Sequence, residues 1–353
     1  MIAINIKKED VLKALEWINQ HGVPKSRESR KYHLKYESRL YPPKYVISIA
    51  NKFATGKELE ADKFYGGSES NTFLTKLGFE VVEGKNSIIA KSKDRAVQIG
   101  TILFQSNEKY NNESRDKIIE KSIELCGSVA NVMIFPGGTY KYKKITENSI
   151  KEVEDKIKKY INNIGQDNII CLGIDSDDGS DQIGIAISRK GIIAIGRKFH
   201  PAPGEEDNLI KAQTENEKEF GYNRTFEFQD RKYFLAVCYD GFGIKHKKLK
   251  NNGVSVIIDL IHAFYPKGEG GSGEVYFAKH GLAGASKEWD CPAFGAAVFF
   301  DRPIPQNWQS GVIWNKGNMS TQKWKYEDNP LKVQKIIQHD FKNENIEVRL
   351  YEI

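Results

Sequence analysis

The sequence predicts an α+β protein of two domains, and three observations lead to that prediction. The chain has 353 residues, more than one domain of average size needs. Its composition, 39% hydrophobic and 28% charged, is typical of a folded globular protein. The polar stretch at residues 83–96 separates a short mixed unit from a longer alternation of strands and helices. We therefore predict domains at 1–85 and 97–353, joined by a linker at 86–96.

The first domain is predicted to be small and mostly helical. In "EDVLKALEWINQHG" apolar residues recur at helical spacing, and Gly22 can end the helix. "KYVISIANKFATG" predicts a second helix, again closed by glycine. "NTFLTKLGFEVVE" predicts a helix, a turn and a short strand.

The second domain alternates predicted strands with predicted helices, a pattern that suits a mixed sheet with flanking helices. Helices are predicted in "NESRDKIIEKSIELCG", around 148–163 and near 274–288. Strands are predicted near 182–188 and 191–197 and in "VQIGTILFQ", "ANVMIFPGG", "NIICLGID", "RTFEFQD", "RKYFLAVCYD", "VSVIIDLI", "FGAAVFFD", "SGVIWNKG" and "IEVRLYEI".

Positive charge is concentrated near the N-terminus. The formal net charge is +6, and residues 25–44 hold seven basic residues against two acidic ones. Such a cluster is typical of phosphate binding, and it also suits a solvated basic surface. Charge alone leaves both interpretations open.

Cysteine and histidine usage predicts no metal site and no cofactor. The four cysteines are far apart, so we expect free thiols in a reducing, cytoplasmic compartment. Residues 175–181, "DSDDGSD", lack the spacing of a calcium loop and predict an acidic turn. The histidines outside the first domain show no metal-binding spacing and are expected to be surface or packing residues: His200, His246, His262 and His280.

Membrane association is not expected either. No apolar run reaches the roughly 18 residues of a membrane-spanning helix. The N-terminal "MIAINIKKED" becomes charged too early to resemble a signal peptide.

Residues 39–82 carry a recognisable motif: Tyr-Pro-Pro-Lys opening a helix, then Phe-x-Gly-Gly-x-x-x-Asn and Leu-Gly-Phe. The motif resembles the sulfur-binding domain of type IV, McrA-like restriction endonucleases that recognise phosphorothioate DNA. A phosphorothioate sulfur is larger and more weakly hydrated than oxygen, so its reader needs an apolar dent beside cations. The resemblance implies that a DNA duplex is the partner.

The resemblance and the charge pattern assign DNA-binding roles to seven residues. Tyr41 and Pro42 are predicted to form the dent, with cations holding the flanking phosphates. The full set is Tyr41, Pro42, Lys44, Tyr45, Arg27, Arg30 and Asn71.

Three positions depart from the pattern of that family. Tyr45 stands where the family has a small residue, and Glu69 and Thr72 stand where it has Gln and Arg. Glu cannot donate to a guanine acceptor, and Thr has no bidentate fork. These differences imply altered sulfur recognition or altered sequence preference.

The second domain resembles the nitrilase, or carbon–nitrogen hydrolase, superfamily. The resemblance lies in "VQIGTILFQSNE" with "ANVMIFPGG", in "GIAISRKGIIAIGRKFHPAPGEE", and in "FEFQDRKYFLAVCYDGFG". It implies an α-β-β-α sandwich, a small amide or nitrile substrate, and association into a homodimer. It also implies that Cys238 is the nucleophile and Lys198 the cation that stabilises the developing charge.

The catalytic glutamate of that superfamily is missing. Where relatives read Phe-Pro-Glu, this chain has Gly137, which cannot accept a proton. Either the domain is a non-hydrolytic relative, or another carboxylate serves as the base. Glu205 and Glu206 follow the lysine, and Asp240 follows the cysteine; the sequence does not choose among them.

The sequence thus supports a modified-DNA reader fused to a nitrilase-like effector, a combination that suggests defence against foreign DNA. Two alternatives remain at this level. One is an amidase whose basic domain binds nucleic acid without specificity. The other is a DNA-binding scaffold whose nitrilase-like domain is not catalytic.

Overall fold

A computed structural model describes most of the chain: residues 5–24, 27, 29, 31–36, 39–83, 96–106, 112–164, 167–214, 217–267, 273–341 and 344–353. Contacts divide the chain into two compact units, Met1–Arg95 and Ala96–Ile353. The predicted linker at 86–96 lies outside the described residues except for Ala96.

The first unit packs helices against a small antiparallel sheet. Its described helices are α1 (Lys8–His21), α2 (Pro43–Thr55) and α3 (Ser68–Lys76), and its strands are β1 (Tyr32–Tyr36), β2 (Arg39–Tyr41) and β3 (Glu80–Glu83). The sheet order is β2-β1-β3.

All three helices confirm the predictions made from the sequence. The Gly22 N–H donates to the Ile18 carbonyl where α1 ends, and Gly56 closes α2 with a φ of 83° that glycine adopts without strain. Pro43 occupies the first turn of α2, where a missing N–H costs no helical hydrogen bond. Strands β1 and β2 were not predicted.

The second unit is a mixed α/β structure with one large sheet. Its described strands are β4 (Gln98–Ser106), β5 (Val132–Ile134), β6 (Tyr140–Tyr142), β7 (Ile169–Ser176), β8 (Gln182–Ser188), β9 (Gly191–Arg197), β10 (Thr225–Phe228), β11 (Arg231–Val237), β12 (Val256–Phe264), β13 (Ala293–Phe300), β14 (Gly311–Val312), β15 (Lys335–Phe341) and β16 (Glu344–Glu352). Its described helices are α4 (Asn112–Cys126), α5 (Glu147–Asn162), α6 (Asp240–Lys245), α7 (Glu274–Phe277) and α8 (Ala283–Trp289), with a π-helical turn at Ala278–Leu282.

In the described part of the unit, the main path of the sheet runs β10-β11-β12-β13-β4-β5-β7-β8-β9. Neighbours from β11 through β7 are parallel, whereas β7-β8 and β8-β9 are antiparallel. The path folds back on itself, since β8 packs against β11 and β12 packs against β7. The carboxyl ends of β5, β7, β9, β11 and β12 therefore meet at one edge, where ligand sites of α/β sheets commonly lie.

Three apolar clusters fill the second unit. One joins strand residues to α4 and α5, and another joins strand residues to α6, α8 and the π-helical turn. The third consists largely of strand residues from both halves of the folded sheet, such as Ile134 of β5 and Leu260 of β12. The strands are therefore covered by helices on two sides and by one another in the middle.

Two departures from the predicted elements matter for the site. Strand β12 extends to Phe264, beyond the predicted "VSVIIDLI", so that His262 belongs to a strand. The predicted strand "SGVIWNKG" pairs only over Gly311–Val312, because the following chain turns away from the sheet. In the described parts of the chain, every helix is too short or too polar to span a lipid bilayer.

Candidate active site and candidate nucleic-acid pocket

Cys238 occupies a tight turn between β11 and α6. Its φ is +53°, a left-handed conformation that is uncommon for residues with a side chain. Its N–H donates to the Leu260 carbonyl (3.1 Å) across the β11-β12 ladder. As a residue Cys238 is partly exposed, whereas Cys126, Cys171 and Cys291 are buried. A strained strand-to-helix turn of this kind presents a nucleophile at the edge of a sheet.

Lys198 follows β9 and is completely buried. Its Nζ donates to Gln182 Oε1 (2.9 Å) and to Glu205 Oε2 (2.6 Å). Burial by itself would lower the pKa of Lys198, but the charges of Cys238 and Glu205 outweigh burial and raise it. The structure thus holds a charged ammonium close to Cys238.

Only one of the two predicted glutamates reaches the lysine. Glu205 also accepts hydrogen bonds from the Ala202 N–H (2.7 Å) and from Gln182 Nε2 (3.0 Å). Burial would raise the pKa of Glu205, but Lys198 and these hydrogen bonds lower it. Glu206 instead accepts from the Gly204 N–H (2.7 Å) within its own loop. Glu205 is therefore the carboxylate that holds Lys198.

Asp240 has a structural role in this arrangement. Its Oδ1 accepts the N–H groups of Phe199 and His200, and its Oδ2 accepts the Val237 N–H, at 2.9–3.0 Å. The buried carboxyl group thereby ties the loop after Lys198 to the turn that carries Cys238. Three backbone N–H groups thus occupy acceptor positions of this carboxylate, and Arg224 Nη1 lies 3.7 Å from its Oδ2.

His262 and Asp175 occupy the place where the sequence lacks its glutamate. His262 Nε2 lies 3.1 Å from Asp175 Oδ1 and 3.0 Å from Oδ2. His262 also lies close enough to Cys238 for its hydrogen bonding and charge to lower the pKa of the thiol. The expectation of a surface or packing role is therefore wrong for His262, and Asp175, expected in an acidic turn, is a residue of β7.

The pKa values of Cys238 and His262 move in opposite directions. Burial would raise the pKa of Cys238, but the charge of Lys198 and the hydrogen bond from His262 lower it. Burial would lower the pKa of His262, but Asp175 and Cys238 outweigh burial and raise it to about 10. A thiolate beside a protonated imidazole is the form these shifts favour at neutral pH.

The other cysteines lack this activation. Burial raises the pKa of Cys126 and of Cys291 to about 12, and it also raises the pKa of Cys171. A buried thiol without a cation is inert. Among the described residues, no group of three or more His, Cys, Asp and Glu side chains is arranged to hold a metal ion.

The first unit contains a cavity of about 470 Å³ beside the start of α2. It is lined by Arg27, Ser29, Lys31, Tyr32, Pro42, Pro43, Lys44, Tyr45, Ala61, Gly66, Gly67 and Asn71. Proline and tyrosine rings thus face the same space as three cationic side chains. Five of the seven residues predicted from the sequence are in this lining.

The cations and the amide of the cavity are held in different ways. Lys44 Nζ lies 5.2 Å from the centroid of the Phe64 ring, so its charge rests on an aromatic face. Arg27 pairs with Glu58 at 3.0 Å. Asn71 Oδ1 is buried and has no hydrogen-bond partner among the described residues. A buried amide without a partner is a candidate ligand contact.

Two predicted residues are not in the cavity wall. Tyr41 is buried in the core, where its hydroxyl donates to Asn19 Oδ1 of α1 (2.8 Å), so the dent is formed without it. Arg30 lies outside the described residues. Glu69, noted for its departure from the sulfur-binding pattern, accepts the Tyr65 N–H (2.8 Å).

The first unit matches a known family. Residues 5–83 match the ScoMcrA-like, N-terminal head domain. This match agrees with the McrA-like resemblance in the sequence. A comparison with curated proteins finds no significant match.

Similar solved structures include amidases of the nitrilase superfamily, the superfamily that the second unit resembles in sequence. An amidase from Nesterenkonia sp. is 11% identical, with a TM-score of 0.43 over 57% of this chain and 76% of that chain. The amidase from Nesterenkonia sp. AN1 with butyramide is 10% identical, with a TM-score of 0.44 over 58% and 78%. The same enzyme with acrylamide added at its active-site cysteine is 10% identical, with a TM-score of 0.43 over 57% and 78%.

Proposed function

We propose that this protein recognises phosphorothioate-modified DNA with its first unit and hydrolyses a carbon–nitrogen bond at Cys238 of its second unit. The proposal assigns DNA recognition to residues 1–85 and an α-β-β-α, nitrilase-like hydrolase to residues 97–353. Each half rests on one observation, the composite lining of the cavity for recognition and the surroundings of Cys238 for hydrolysis.

The cavity beside α2 suits a phosphorothioate because it joins apolar rings to cations. The rings of Pro42 and Pro43 offer a poorly hydrated surface, which a sulfur atom tolerates better than an oxygen atom does. Lys44 and Arg27 offer charge to the phosphates on either side. The buried Asn71 amide supplies a polar contact for a base edge or a sugar.

A binding experiment tests this half. The intact protein is titrated with one short duplex, with and without a single phosphorothioate, at several salt concentrations. We expect tighter binding to the sulfur-bearing duplex. Replacement of Lys44 by Met should weaken binding about tenfold and reduce the salt slope by about one, because one phosphate contact is lost. Equal binding of the two duplexes would refute sulfur recognition and leave a non-specific basic surface.

Lys13, an exposed lysine of α1, provides the matched control. The substitution Lys13→Met removes the same charge from the same unit outside the cavity, so affinity and salt slope should hardly change. A loss as large as that of Lys44→Met would mean that overall charge, and not the cavity, governs binding.

The surroundings of Cys238 suit hydrolysis of a small amide or nitrile. The thiolate is the nucleophile, and the buried Lys198 stabilises negative charge that develops on the attacked group. The Glu205 carboxylate and the Gln182 amide hold the lysine in place. Water then releases the acyl group from sulfur.

Turnover of short aliphatic amides and nitriles, followed by ammonia release and by intact mass, tests this half. Wild-type protein should release ammonia and carry a transient acyl adduct, whereas Cys238→Ala should show neither. Equal ammonia release by the two proteins would exclude Cys238. Absence of both release and adduct across the panel would favour the non-catalytic scaffold.

A role in defence against foreign DNA follows from the fusion of a modification reader to an effector, and it is a hypothesis on that ground alone. We expect phage plating to fall in cells that express the wild-type protein relative to cells that express Cys238→Ala. Equal plating on the two strains would refute it.

A further inference from the structure

We propose that His262, oriented by Asp175, is the proton-transfer group of this site, in the role that a glutamate at the position of Gly137 has in nitrilase relatives. The inference rests on the proposed hydrolase function and names the residue that completes it. His262 is a catalytic residue in this scheme, and Asp175 is a positioning residue.

Strand pairing brings the histidine to the cysteine. Strands β11 and β12 are parallel neighbours, with Val237 paired to Leu260, so Cys238 and His262 leave the same edge of the sheet. Nε2 of His262 is hydrogen-bonded to Asp175, so Nδ1 is the ring nitrogen that we assign to the thiol. A carboxylate that holds one ring nitrogen fixes the orientation and the tautomer of the other.

No side chain fits at Gly137, the position where nitrilase relatives have the glutamate. A Cβ atom at Gly137 would lie 2.5 Å from the Leu260 carbonyl oxygen and 3.0 Å from both Cε1 and Nδ1 of His262. A Cβ atom at Gly138 would lie 2.5 Å from Asp175 Oδ2, and its φ of +56° also disfavours a side chain. The two glycines thus leave space for the histidine–aspartate pair.

Charged groups from four elements face the thiol. Lys198 follows β9 and Asp175 ends β7, while Asp259 lies on β12 with its carboxyl group fully buried. Asp240 of α6 completes the set. Burial raises the pKa of Asp259 well above its ordinary value, which favours the neutral acid. Lys198 and His262 are the groups that lower the pKa of Cys238, and both stabilise the thiolate.

The proton has a complete path through His262. The thiolate attacks the amide carbon, the S–C bond forms, and the carbonyl π electrons move to oxygen beside Lys198. When the C–N bond breaks, the nitrogen takes the proton from His262, and an amine leaves with the imidazole neutral. Water then gives its proton to His262 while its oxygen attacks the thioester, and the C–S bond breaks to restore thiolate and imidazolium.

Alkylation of Cys238 by iodoacetamide across pH tests the inference without any substrate. Mass spectrometry assigns the label to Cys238, and Cys238→Ala supplies the blank. The wild-type midpoint should lie below the value of about 8.5 for an ordinary thiol. His262→Asn should raise the midpoint by one pH unit or more, which corresponds to a tenfold slower reaction at pH 6. An unchanged midpoint in His262→Asn would overturn the inference.

Two further variants separate catalysis from folding. Asp175→Asn keeps the shape of the pair but removes its charge, so it should shift the midpoint upward by less than His262→Asn does. His339→Asn, a histidine of β15 remote from the site, should leave the midpoint unchanged. Equal shifts in His339→Asn and His262→Asn would also overturn the inference.

The two proposals fail differently. Absence of amide turnover together with a raised midpoint in His262→Asn refutes hydrolysis and supports the proton-transfer pair. Turnover with an unchanged midpoint supports hydrolysis and refutes the role of His262.

Discussion

The left-handed conformation of Cys238 predicts an unusual response to glycine. A residue with a Cβ atom at a φ of +53° carries a strain of about 1–2 kcal/mol, which glycine does not carry. Glycine loses about 0.5–1 kcal/mol through the extra freedom of the unfolded chain, and about 0.4 kcal/mol through half of a buried methyl group. These effects nearly cancel, so Cys238→Gly and Cys238→Ala should be equally stable within about 0.5 kcal/mol.

Cys171 is the matched control, because it is fully buried in the middle of β7 with ordinary strand geometry. Here no strain is relieved, and the lost methyl group is completely buried. Cys171→Gly should therefore be less stable than Cys171→Ala by about 1.5 kcal/mol. About 0.4 kcal/mol of the contrast comes from the more complete burial of the methyl group at Cys171, and the remainder measures the strain at Cys238.

Urea denaturation of the full chain, followed by tryptophan fluorescence, measures both pairs. Of the five tryptophans only Trp17 lies in the first unit, so the signal reports mainly the unit that holds both cysteines. An equal glycine penalty at the two positions would refute the argument that the turn at Cys238 is strained. A penalty at Cys238 that is smaller by more than about 0.4 kcal/mol would show that the fold stores strain at this turn.

Two further predictions concern buried charge. Glu205→Gln removes the carboxylate that binds the buried ammonium of Lys198, so it should lower the free energy of unfolding in urea by about 1–2 kcal/mol. Glu206→Gln should change that free energy little, because the Glu206 side chain accepts its hydrogen bond from Gly204 of its own loop. Equal losses of stability in the two variants would contradict this assignment. Burial raises the folded-state pKa of Asp259 well above its value of about 3.9 in the unfolded chain. Asp259 therefore weakens the fold as pH rises from about 3.9 toward the folded-state pKa, by up to about 1.4 kcal/mol per pH unit. Asp259→Asn lacks this dependence and should gain stability relative to wild type between pH 5 and pH 8, as unfolding midpoints at the two pH values would record; a constant difference would show that Asp259 is ionised in the fold.

Local patterns were sufficient for most helices and strands. The apolar spacing that predicts α1, α2 and α4 is a property of consecutive residues, and a helix depends on just those neighbours. The glycine stops at Gly22 and Gly56 are equally local, since they depend on one backbone conformation each.

The pocket could be predicted in part for a similar reason. Pro42, Lys44 and Tyr45 are neighbours at the start of α2, so one motif names them together. Tyr41 was misplaced because a strand residue points to one side or the other according to its pairing partner. Here Tyr41 faces the core and bonds to Asn19 of α1, a partner that no local pattern reveals.

By itself, the sequence predicted most of the helices and strands. It also named Cys238 and Lys198 as candidates for the site, because both follow strands in the order that the resemblance implies. Only the tertiary structure brought together the two residues that we propose for proton transfer. His262 and Asp175 are 87 residues apart, and neither lies in a motif. They meet because the large sheet folds back and brings β12 against β7, so that the carboxyl ends of distant strands share one edge. A proton-transfer pair needs contact in space, and that contact depends on strand pairing and on the volume left free by Gly137 and Gly138.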